Sequence, residues 1–366
     1  MKTYEPEKLP LSSLPWADFI SLVGKANAAL ARYDGILQGI VNPDVLLSPL
    51  TTQEAVLSSK IEGTQATLEE VLEFEASKEM LPVEGAKHAD IQEIINYRHA
   101  MRRAVVELKK RPISLNLILD IHSALMDSVR GYNKGKGRLR TVQNWIGAPG
   151  SPIENATFIP PAPDKLMEHL DNFERYIHFD ERDPLVQLAV VHAQFELIHP
   201  FADGNGRLGR ILLPLFLFEK GLLGRPMFYI SAYLEANRSI YYEKLLRISK
   251  EGDWKSWINF FLTAITEQAI KNSEKAKTIL ALYEKMKTSI VKMTHSQFSI
   301  QAIDTLFNRP IFKTTDFIQS SDIPRASAIR ILNSLKQHNI LLPLREGKGR
   351  QASILIFKEI IDIVEQ

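Results

Sequence analysis

The sequence predicts a mainly α-helical protein that ends in a small winged helix-turn-helix. Apolar residues recur at helical spacing along most of the 366-residue chain, whereas alternating, strand-like stretches are short and few. No internal repeat or low-complexity tract is present. The length suits two or three domains. We predict an N-terminal helical region over residues 1–110, a helical core over residues 111–288 and the winged helix-turn-helix over residues 289–366.

The composition excludes several kinds of site. There is no cysteine, so disulfides, thiolate zinc sites and a cysteine nucleophile are ruled out. The first residues lack the pattern of a signal peptide, and no apolar run has the length of a membrane span. We therefore expect a cytoplasmic protein without a membrane partner. The net charge of +2 does not by itself indicate a nucleic-acid partner.

Two helical runs frame the most informative stretch. Asp183 and Pro184 supply an N-cap and a proline at the first helical position of the first run. That helix should stop at His199, because the proline that follows disfavours the α region for the residue before it. The second run predicts a helix that opens at Gly204 and is capped by Gly221.

Between these runs, residues 199–210 read His-Pro-Phe-Ala-Asp-Gly-Asn-Gly-Arg-Leu-Gly-Arg. Glycines at a helix N-terminus let backbone N–H groups approach an anion, which the helix dipole favours. Arg207 and Arg210 lie three residues apart and are placed to clamp phosphate oxygens. Asp203 would repel phosphates unless a divalent cation such as Mg²⁺ bridges them. His199 is a candidate general base near neutral pH.

Each of these parts alone has an ordinary structural interpretation, because short motifs match widely by accident. Together they match, at every fixed position, the signature His-Pro-Phe-x-Asp-Gly-Asn-Gly-Arg-x-x-Arg. The chain therefore resembles the Fic (filamentation induced by cAMP) family, whose members transfer AMP from ATP to a hydroxyl of a target protein. The resemblance implies a Fic-type helical bundle with a β-hairpin flap, His199 as the catalytic base, Phe201 as an apolar anchor and Asp203 as the Mg²⁺ ligand. It assigns ATP binding to Glu62, His199, Gly204, Asn205, Gly206, Arg207, Leu208, Gly209, Arg210 and Tyr242.

A second motif lies upstream, where a helix ends with Gly63 as its cap. Glu62 read alone is a solvated surface acid. Beside the Fic signature, the stretch resembles the inhibitory motif Ser/Thr-x-x-x-Glu-Gly/Asn of that family, matched by Ser58, Glu62 and Gly63. The resemblance implies a member with an N-terminal inhibitory helix, in which Glu62 pairs with Arg210 and fills the place of the ATP γ-phosphate.

Residues 138–147 and 156–161 predict two short strands of a hairpin. Such a hairpin is either a packing element or an edge that accepts a target segment, and the resemblance favours the second. Further on, aromatic residues recur at helical spacing, which is usual for a core, but the resemblance places Tyr242 at the adenine. Long helices then close the core near Met286.

The last part of the chain predicts two short helices, a third helix and a glycine-tipped hairpin, which together make a winged helix-turn-helix. Residues 325–350 carry six Lys/Arg and one Glu, a local charge of +5. This patch could contact DNA phosphates. The alternative is a solvated basic face on a module that serves dimerisation or docking. The non-apolar face of the third helix holds Arg325, Ser327, Arg330, Asn333 and Lys336.

Three functional hypotheses follow. The first is an autoinhibited AMP transferase that also modifies itself and forms a homodimer, with a target protein that the sequence does not reveal. The second is a DNA-binding regulator whose Fic part senses nucleotide, although a complete signature argues against an inactive domain. The third is transfer of another phosphate-containing group, as in Doc-like relatives. Those relatives lose the second glycine or the final arginine, and Gly206 and Arg210 are both present here.

Overall fold

The computed structural model describes residues 2–77, 85–127, 135–148, 150–347 and 352–366. Over these residues the protein is mainly α-helical, as predicted, with one small antiparallel sheet. Of the helices described, none combines the length and the hydropathy that a membrane crossing requires. The elements are α1 (Trp16–Gly39), α2 (Pro43–Leu46), α3 (Ser48–Ile61), α4 (Leu68–Ser77), α5 (Ala86–Leu108), α6 (Leu115–Leu125), α7 (Leu166–Ile177), α8 (Pro184–Ile198), α9 (Asn205–Glu219), α10 (Ser231–Ala236), α11 (Arg238–Glu251), α12 (Trp254–Thr294), α13 (Ser299–Asn308), β1 (Ile311–Lys313), α14 (Thr314–Ser320), α15 (Arg325–Gln337), β2 (Leu342–Arg345), β3 (Ile354–Ile356) and α16 (Lys358–Glu365).

One compact unit comprises residues 1–34, 57–63 and 96–270. Its centre is α8, which is apolar on nearly every face and buried from Leu185 to Ile198 except at the half-buried Glu196, as expected for a helix enclosed by others. Helices α7 and α9 pack against α8. The fully buried Trp257 donates its indole N–H to the carbonyl of Ala189 at 2.8 Å, which ties α12 to α8. The candidate active site is built on this scaffold.

A second compact unit comprises residues 35–56, 64–95 and 271–366. Its sheet has the strand order β1-β3-β2 and is antiparallel throughout. Helix α4 packs against β1 and β3, and Arg345 of β2 pairs with Glu73 of α4 at 2.5 Å. Thr67 and Glu70 form a reciprocal capping box at the start of α4, with N–H···O distances of 3.1 and 3.3 Å.

The two helices that frame the central loop are confirmed. The carboxylate of Asp183 accepts the N–H groups of Leu185 and Val186 at 2.9 and 3.0 Å, so it caps α8 as expected. Helix α8 ends one residue before His199. Helix α9 begins directly after Gly204, whose φ of 82° needs glycine. At its far end Gly221 adopts a φ of 71° and closes the helix.

The predicted hairpin is much shorter than two strands. Over the described part of residues 138–161, it consists of one antiparallel bridge between Ile146 and Phe158. The N–H of Ile146 donates to Phe158 O at 2.8 Å, and the N–H of Thr157 donates to Ile146 O at 2.7 Å. Prolines near both ends of the hairpin lack the N–H that a longer ladder would require. We keep the name flap for residues 141–161.

The C-terminal elements run helix, strand, helix, helix, strand, strand from α13 to β3. This order agrees with the predicted pattern, and the winged helix-turn-helix itself stays a prediction; residues 348–350 of its hairpin tip lie outside the described residues. The prediction that the core helices close near Met286 is wrong, because α12 continues to Thr294. The boundary predicted at residue 288 therefore falls inside a helix, and the three-domain division stays a prediction.

Candidate active site

The loop between α8 and α9 begins with a strained residue. His199 has φ 48° and ψ 59°, a left-handed conformation that costs free energy for a residue with a side chain. Its N–H still donates to Phe195 O at 3.1 Å, so it closes the last turn of α8. The conformation turns the chain sharply and leaves the imidazole at the wall of a cavity.

Side-chain hydrogen bonds fix the fold of this loop. Phe201 is fully buried, which agrees with its predicted role as an anchor. Asn205 closes the loop in both directions: its Oδ1 accepts the N–H of Phe201 and its Nδ2 donates to Phe201 O, both at 2.9 Å. The predicted ATP-binding residue Asn205 thus uses its side chain within the protein, and only its backbone N–H lies at the helix start.

Two residues that the sequence reasoning missed hold the loop in place. Arg140 is 5% exposed and donates from Nε to His199 O at 2.9 Å and from Nη2 to Pro161 O at 2.5 Å. Burial lowers the pKa of its guanidinium to about 10. Arg140 therefore connects the catalytic loop to the end of the flap. Its only sequence signal is that it is a charged residue within a predicted strand.

The second missed residue is His122 of α6. Its ring stacks on Phe201 with centroids 3.8 Å apart. Its Nδ1 accepts the N–H of Gly137 at 3.0 Å, so the proton sits on Nε2, which donates to Asp203 O at 3.0 Å. Burial lowers the pKa of His122 to about 4. A neutral His122 thus links Gly137 to Asp203 of the catalytic loop. Nothing in the sequence around it distinguishes it from an ordinary core histidine.

Asp203 lies at the mouth of the loop. Its Oδ1 accepts the N–H of Gly204 at 2.6 Å and lies 3.2 Å from a guanidinium nitrogen of Arg207. The Asp203 side chain is 31% exposed, whereas that of Arg207 is 5% exposed. The described residues contain no group of three or more His, Asp or Glu arranged to hold a metal ion. One accessible carboxylate beside an anion site suits a cation whose other ligands are phosphate and water.

The N-terminus of α9 offers backbone donors to an anion. Its first residues precede the first intrahelical hydrogen bond, made by Leu208 N to Gly204 O at 3.0 Å, so their N–H groups point away from the helix. The Leu208 side chain is fully buried in the core, which leaves only its backbone near the site. Gly206 has no room for a side chain, because a Cβ there would collide with the carboxylate of Glu62.

Arg210 is the most enclosed charge of the site, with 1% of its side chain exposed. Its Nε donates to Ser58 Oγ at 2.8 Å, and its Nη2 donates to Ser58 O at 2.8 Å and to Glu62 Oε1 at 2.6 Å. Burial alone would lower the pKa of Arg210, but the carboxylate of Glu62 raises it above its ordinary value. The structure thus brings Arg210 together with Ser58 and Glu62, which precede it by 152 and 148 residues.

The helix end that carries Glu62 is built as predicted. Helix α3 ends at Ile61, and the N–H groups of Glu62 and Gly63 donate to Ser59 O and Lys60 O, both at 3.0 Å. Gly63 has a φ of 107°, which only glycine adopts readily. Gly63 therefore turns the chain away directly after the acid.

A cavity of about 730 Å³ opens beside these groups. His199, Gly206, Arg210 and Glu62 lie along one wall. Tyr242 lines the same cavity with 41% of its surface exposed, and the guanidinium of Arg238 lies 5.8 Å from its ring centre. Flap residues line it as well, namely Trp145, Ile146, Gly147, Thr157 and Phe158.

The electrostatics of the cavity favour a neutral imidazole at His199. Burial lowers its pKa, against the smaller opposing effects of the Glu196 carbonyl and of Glu62. Its Nδ1 lies 3.2 Å from Glu196 O. Because a carbonyl only accepts, Nδ1 carries the proton and Nε2 holds the free lone pair. The ring is therefore prepared to take up a proton at Nε2.

Comparison with known proteins identifies this architecture. Residues 20–106 match the Fic/DOC family N-terminal region, and residues 112–217 match the Fic/DOC family. The chain belongs to the Fic/DOC family.

Curated relatives with significant similarity are named protein adenylyltransferases. A probable protein adenylyltransferase of Aquifex aeolicus is 31% identical over 208 residues, which is 55% of this chain and 60% of that protein. The protein adenylyltransferase Fic of Drosophila erecta is 28% identical over 66% of this chain and 43% of its own. The chain thus matches about half of the length of these relatives.

Solved structures share the fold. A Fic family protein from Desulfovibrio desulfuricans G20 superposes with a TM-score of 0.59 at 19% identity, over 96% of this chain and 98% of its own. Fic-1 of Caenorhabditis elegans gives a TM-score of 0.55 at 21% identity, over 72% of both chains. At these identities the likeness concerns the fold.

Proposed function

We propose that the protein is an autoinhibited protein adenylyltransferase, which transfers AMP from ATP to a Ser, Thr or Tyr hydroxyl of a target protein. The observation that carries this proposal is the contact of Glu62 with Arg210 at 2.6 Å, directly over Gly206 at the anion-binding start of α9. The curated relatives named as protein adenylyltransferases support the choice of ATP as substrate.

The triphosphate of ATP would lie along the N-terminus of α9. Backbone N–H groups of residues 205–207, which precede the first intrahelical hydrogen bond, and the Arg207 guanidinium would bind the α- and β-phosphates, and Arg210 the γ-phosphate. The adenosine would occupy the cavity lined by Tyr242. Positioning and charge neutralisation are the main contributions of the protein to such a transfer.

His199 would act on the attacking group. Its Nε2 accepts the proton of the target hydroxyl as that oxygen attacks the α-phosphorus. The new bond joins the hydroxyl oxygen to the α-phosphorus, and the bond from this phosphorus to the oxygen that bridges to the β-phosphate breaks. Pyrophosphate leaves with the electron pair. The flap residues Ile146 and Phe158 line the same cavity as His199, and there the flap would align the target segment.

The residues present fit a bound Mg²⁺. Asp203 is the carboxylate that would hold the ion, as its partly exposed position beside the anion site suits a cation with few protein ligands. When bound, the ion would neutralise charge on the phosphates. Arg207 balances the charge of Asp203 in the free protein.

Glu62 would inhibit this reaction by occupying the γ-phosphate position. An anion cannot pair with Arg210 while the Glu62 carboxylate does, and two anions there would repel each other. Ser58 accepts two further hydrogen bonds from the same guanidinium, so the inhibitory helix contacts Arg210 at three points. ATP would then bind only in an unproductive pose.

The test uses Glu62→Gly with ATP labelled separately at the α- and γ-phosphates. We expect at least a ~10-fold gain of α-label on protein, since a hydrogen bond to a charged group is worth about 1.5–3 kcal/mol and a factor of ten corresponds to about 1.4 kcal/mol. Lys60→Gly, on the same exposed turn, controls for added backbone freedom. Glu62→Gly combined with His199→Ala should bind ATP without transfer.

Other outcomes would favour the alternatives. Transfer of γ-label would indicate a different phosphate-containing group, which Doc-like relatives transfer. Binding of ATP without any transfer by Glu62→Gly would favour a nucleotide-sensing regulator. Activity of Glu62→Gly equal to that of the unchanged protein would contradict autoinhibition by Glu62.

A further inference from the structure

A second acid, Glu196 of α8, lies against the first turns of α9, and the Fic signature does not contain it. Gly206 and Gly209 lie three residues apart, so they face the same side of the helix. The Glu62 carboxylate sits over Gly206, and Oε1 of Glu196 sits over Gly209, 2.5 Å from where a Cβ would be. Position 209 is a variable position of the signature, and Glu196 lies outside it. The signature therefore does not specify the pair Glu196 and Gly209.

Glu196 belongs to the nucleotide cavity. It lies in the last turn of α8, shortly before His199. It lines the same cavity as Arg210 and Glu62. Its Oε1 is buried, and among the described residues no hydrogen-bond donor reaches it. A buried carboxyl oxygen without a donor is costly, and a carboxylate even more so. An acid in this position beside an arginine needs a functional explanation.

The charges around Glu196 are few. Burial raises its pKa to about 8, the Arg210 cation opposes this rise, and the Glu62 carboxylate adds to it. Tyr241 and Tyr242 also face it, and their own pKa values are raised mainly by burial. The titratable groups His199, Arg238 and Glu243 line the same cavity. Glu196 is thus protonated near neutral pH while Glu62 holds Arg210. Withdrawal of Glu62 removes a repelling charge and leaves the Arg210 cation unpaired.

We propose that Glu196 is a positioning residue that acts through Arg210, taking over the pairing with this arginine when Glu62 withdraws and competing there with the terminal phosphate of the nucleotide. The inference rests on the proposed function, since it assumes that Arg210 binds the γ-phosphate. In the protonated form Glu196 leaves Arg210 to the nucleotide. In the ionised form it occupies Arg210 in part, so loss of its proton weakens nucleotide binding.

The test compares Glu62→Gly with the double variant Glu62→Gly/Glu196→Gln. The KM for ATP and the affinity for ATP, the latter measured by calorimetry, are followed between about pH 6 and about pH 9. The ratio of the two KM values, Glu62→Gly over the double variant, should be near one at the acidic end. We expect it to rise by about fivefold to tenfold at the alkaline end, with kcat little changed. Titration of His199 and of the γ-phosphate occurs in both variants and cancels in the ratio.

Two controls separate this role from a structural one. Glu62→Gly/Glu196→Asp keeps an ionisable acid and should retain the pH dependence. Glu62→Gly/Glu243→Gln removes an exposed acid of the same cavity and should leave the pH dependence unchanged. A ratio that stays constant with pH would overturn the proposal. If Glu62→Gly transfers no AMP, the proposed function fails, and the pH dependence of ATP affinity still decides the role of Glu196.

Discussion

At the scale of single residues, the site is built on charged and polar groups that pair inside the protein. The Arg210 side chain is 1% exposed. It keeps its charge because Glu62 and Ser58 accept its hydrogen bonds. His122 is buried and neutral, and it uses both ring nitrogens to join Gly137 to Asp203. Removing one partner of such a buried pair leaves the other unsatisfied, which costs more than the bond contributed.

His122 should make the stability of the fold depend on pH. Its pKa is near 4 in the folded chain, below the ordinary value of 6.5. The unfolded chain therefore binds the proton first as pH falls, and stability is lost between pH 6.5 and about 4. We expect His122→Gln to lower the free energy of unfolding near neutral pH by about 1–3 kcal/mol and to weaken its fall on acidification.

Urea denaturation at several pH values measures this effect. The exposed His338, changed to Gln, is the matched control and should leave both quantities nearly unchanged. Equal acid sensitivity of His122→Gln and the unchanged protein would show that other groups govern the acid response.

At the scale of elements, α8, α9 and the loop between them position the residues of the candidate active site. Helix α8 ends at Ile198, directly before His199 in the left-handed conformation, and α9 begins after Gly204, which is also left-handed. The short loop between them is closed by Asn205 and held from outside by Arg140. The start of α8 is fixed by Asp183, which also accepts a hydrogen bond from Asn27 of α1 at 3.0 Å. The position of His199 thus depends on a helix that is capped at both ends.

Loss of the N-cap should destabilise the scaffold without touching the site. Asp183→Ala removes the acceptor for two N–H groups of α8 and for Asn27. We expect a loss of about 1–2 kcal/mol in the free energy of unfolding. Thermal unfolding measures it, with the exposed Asp180 changed to Ala as the control. A midpoint equal to that of the control would mean that the cap contributes nothing.

At the scale of the whole molecule, charge is unevenly distributed. The chain carries a net charge of +2, yet residues 325–350 alone hold +5. Arg325 and Arg330 are exposed on α15, whereas Arg345 pairs with Glu73 of α4. Part of the predicted basic patch is therefore engaged within its own unit, and α15 holds two exposed arginines that would meet a nucleic acid.

If the C-terminal region binds DNA, the full chain should bind duplex DNA in a salt-dependent manner. Phosphate contacts release counterions, so the affinity should fall steeply as salt rises. Arg325→Glu/Arg330→Glu should reduce binding by at least about tenfold at low salt. A gel-shift titration with mixed-sequence duplex tests this, and Arg32→Glu/Arg102→Glu, far from α15 in sequence, serves as the charge-matched control. Absence of any shift at low salt would favour the solvated basic face.

Some elements of this fold can be predicted from the sequence and others cannot. Helices α8 and α9 were predictable, because caps, prolines and glycines act locally through backbone conformation. The flap was predicted too long, because alternation of residue types does not reveal which N–H groups find partners. The end of α12 was also missed, because its last turns continue an ordinary helical pattern past residue 288.

The sequence by itself determined the family, the helical class and the identity of the reactive loop, since a long contiguous motif encodes its own turn and its own helix start. The family resemblance also implied the pairing of Glu62 with Arg210, which has a distance of 2.6 Å in the structure. Only the tertiary structure decided that His122 and Arg140 hold the loop and that Glu196 lies over Gly209. The contacts of His122 and Arg140 join residues far apart in the chain, whereas that of Glu196 with Gly209 joins the neighbouring helices α8 and α9. Their distances depend on how the helices pack, which no local pattern specifies.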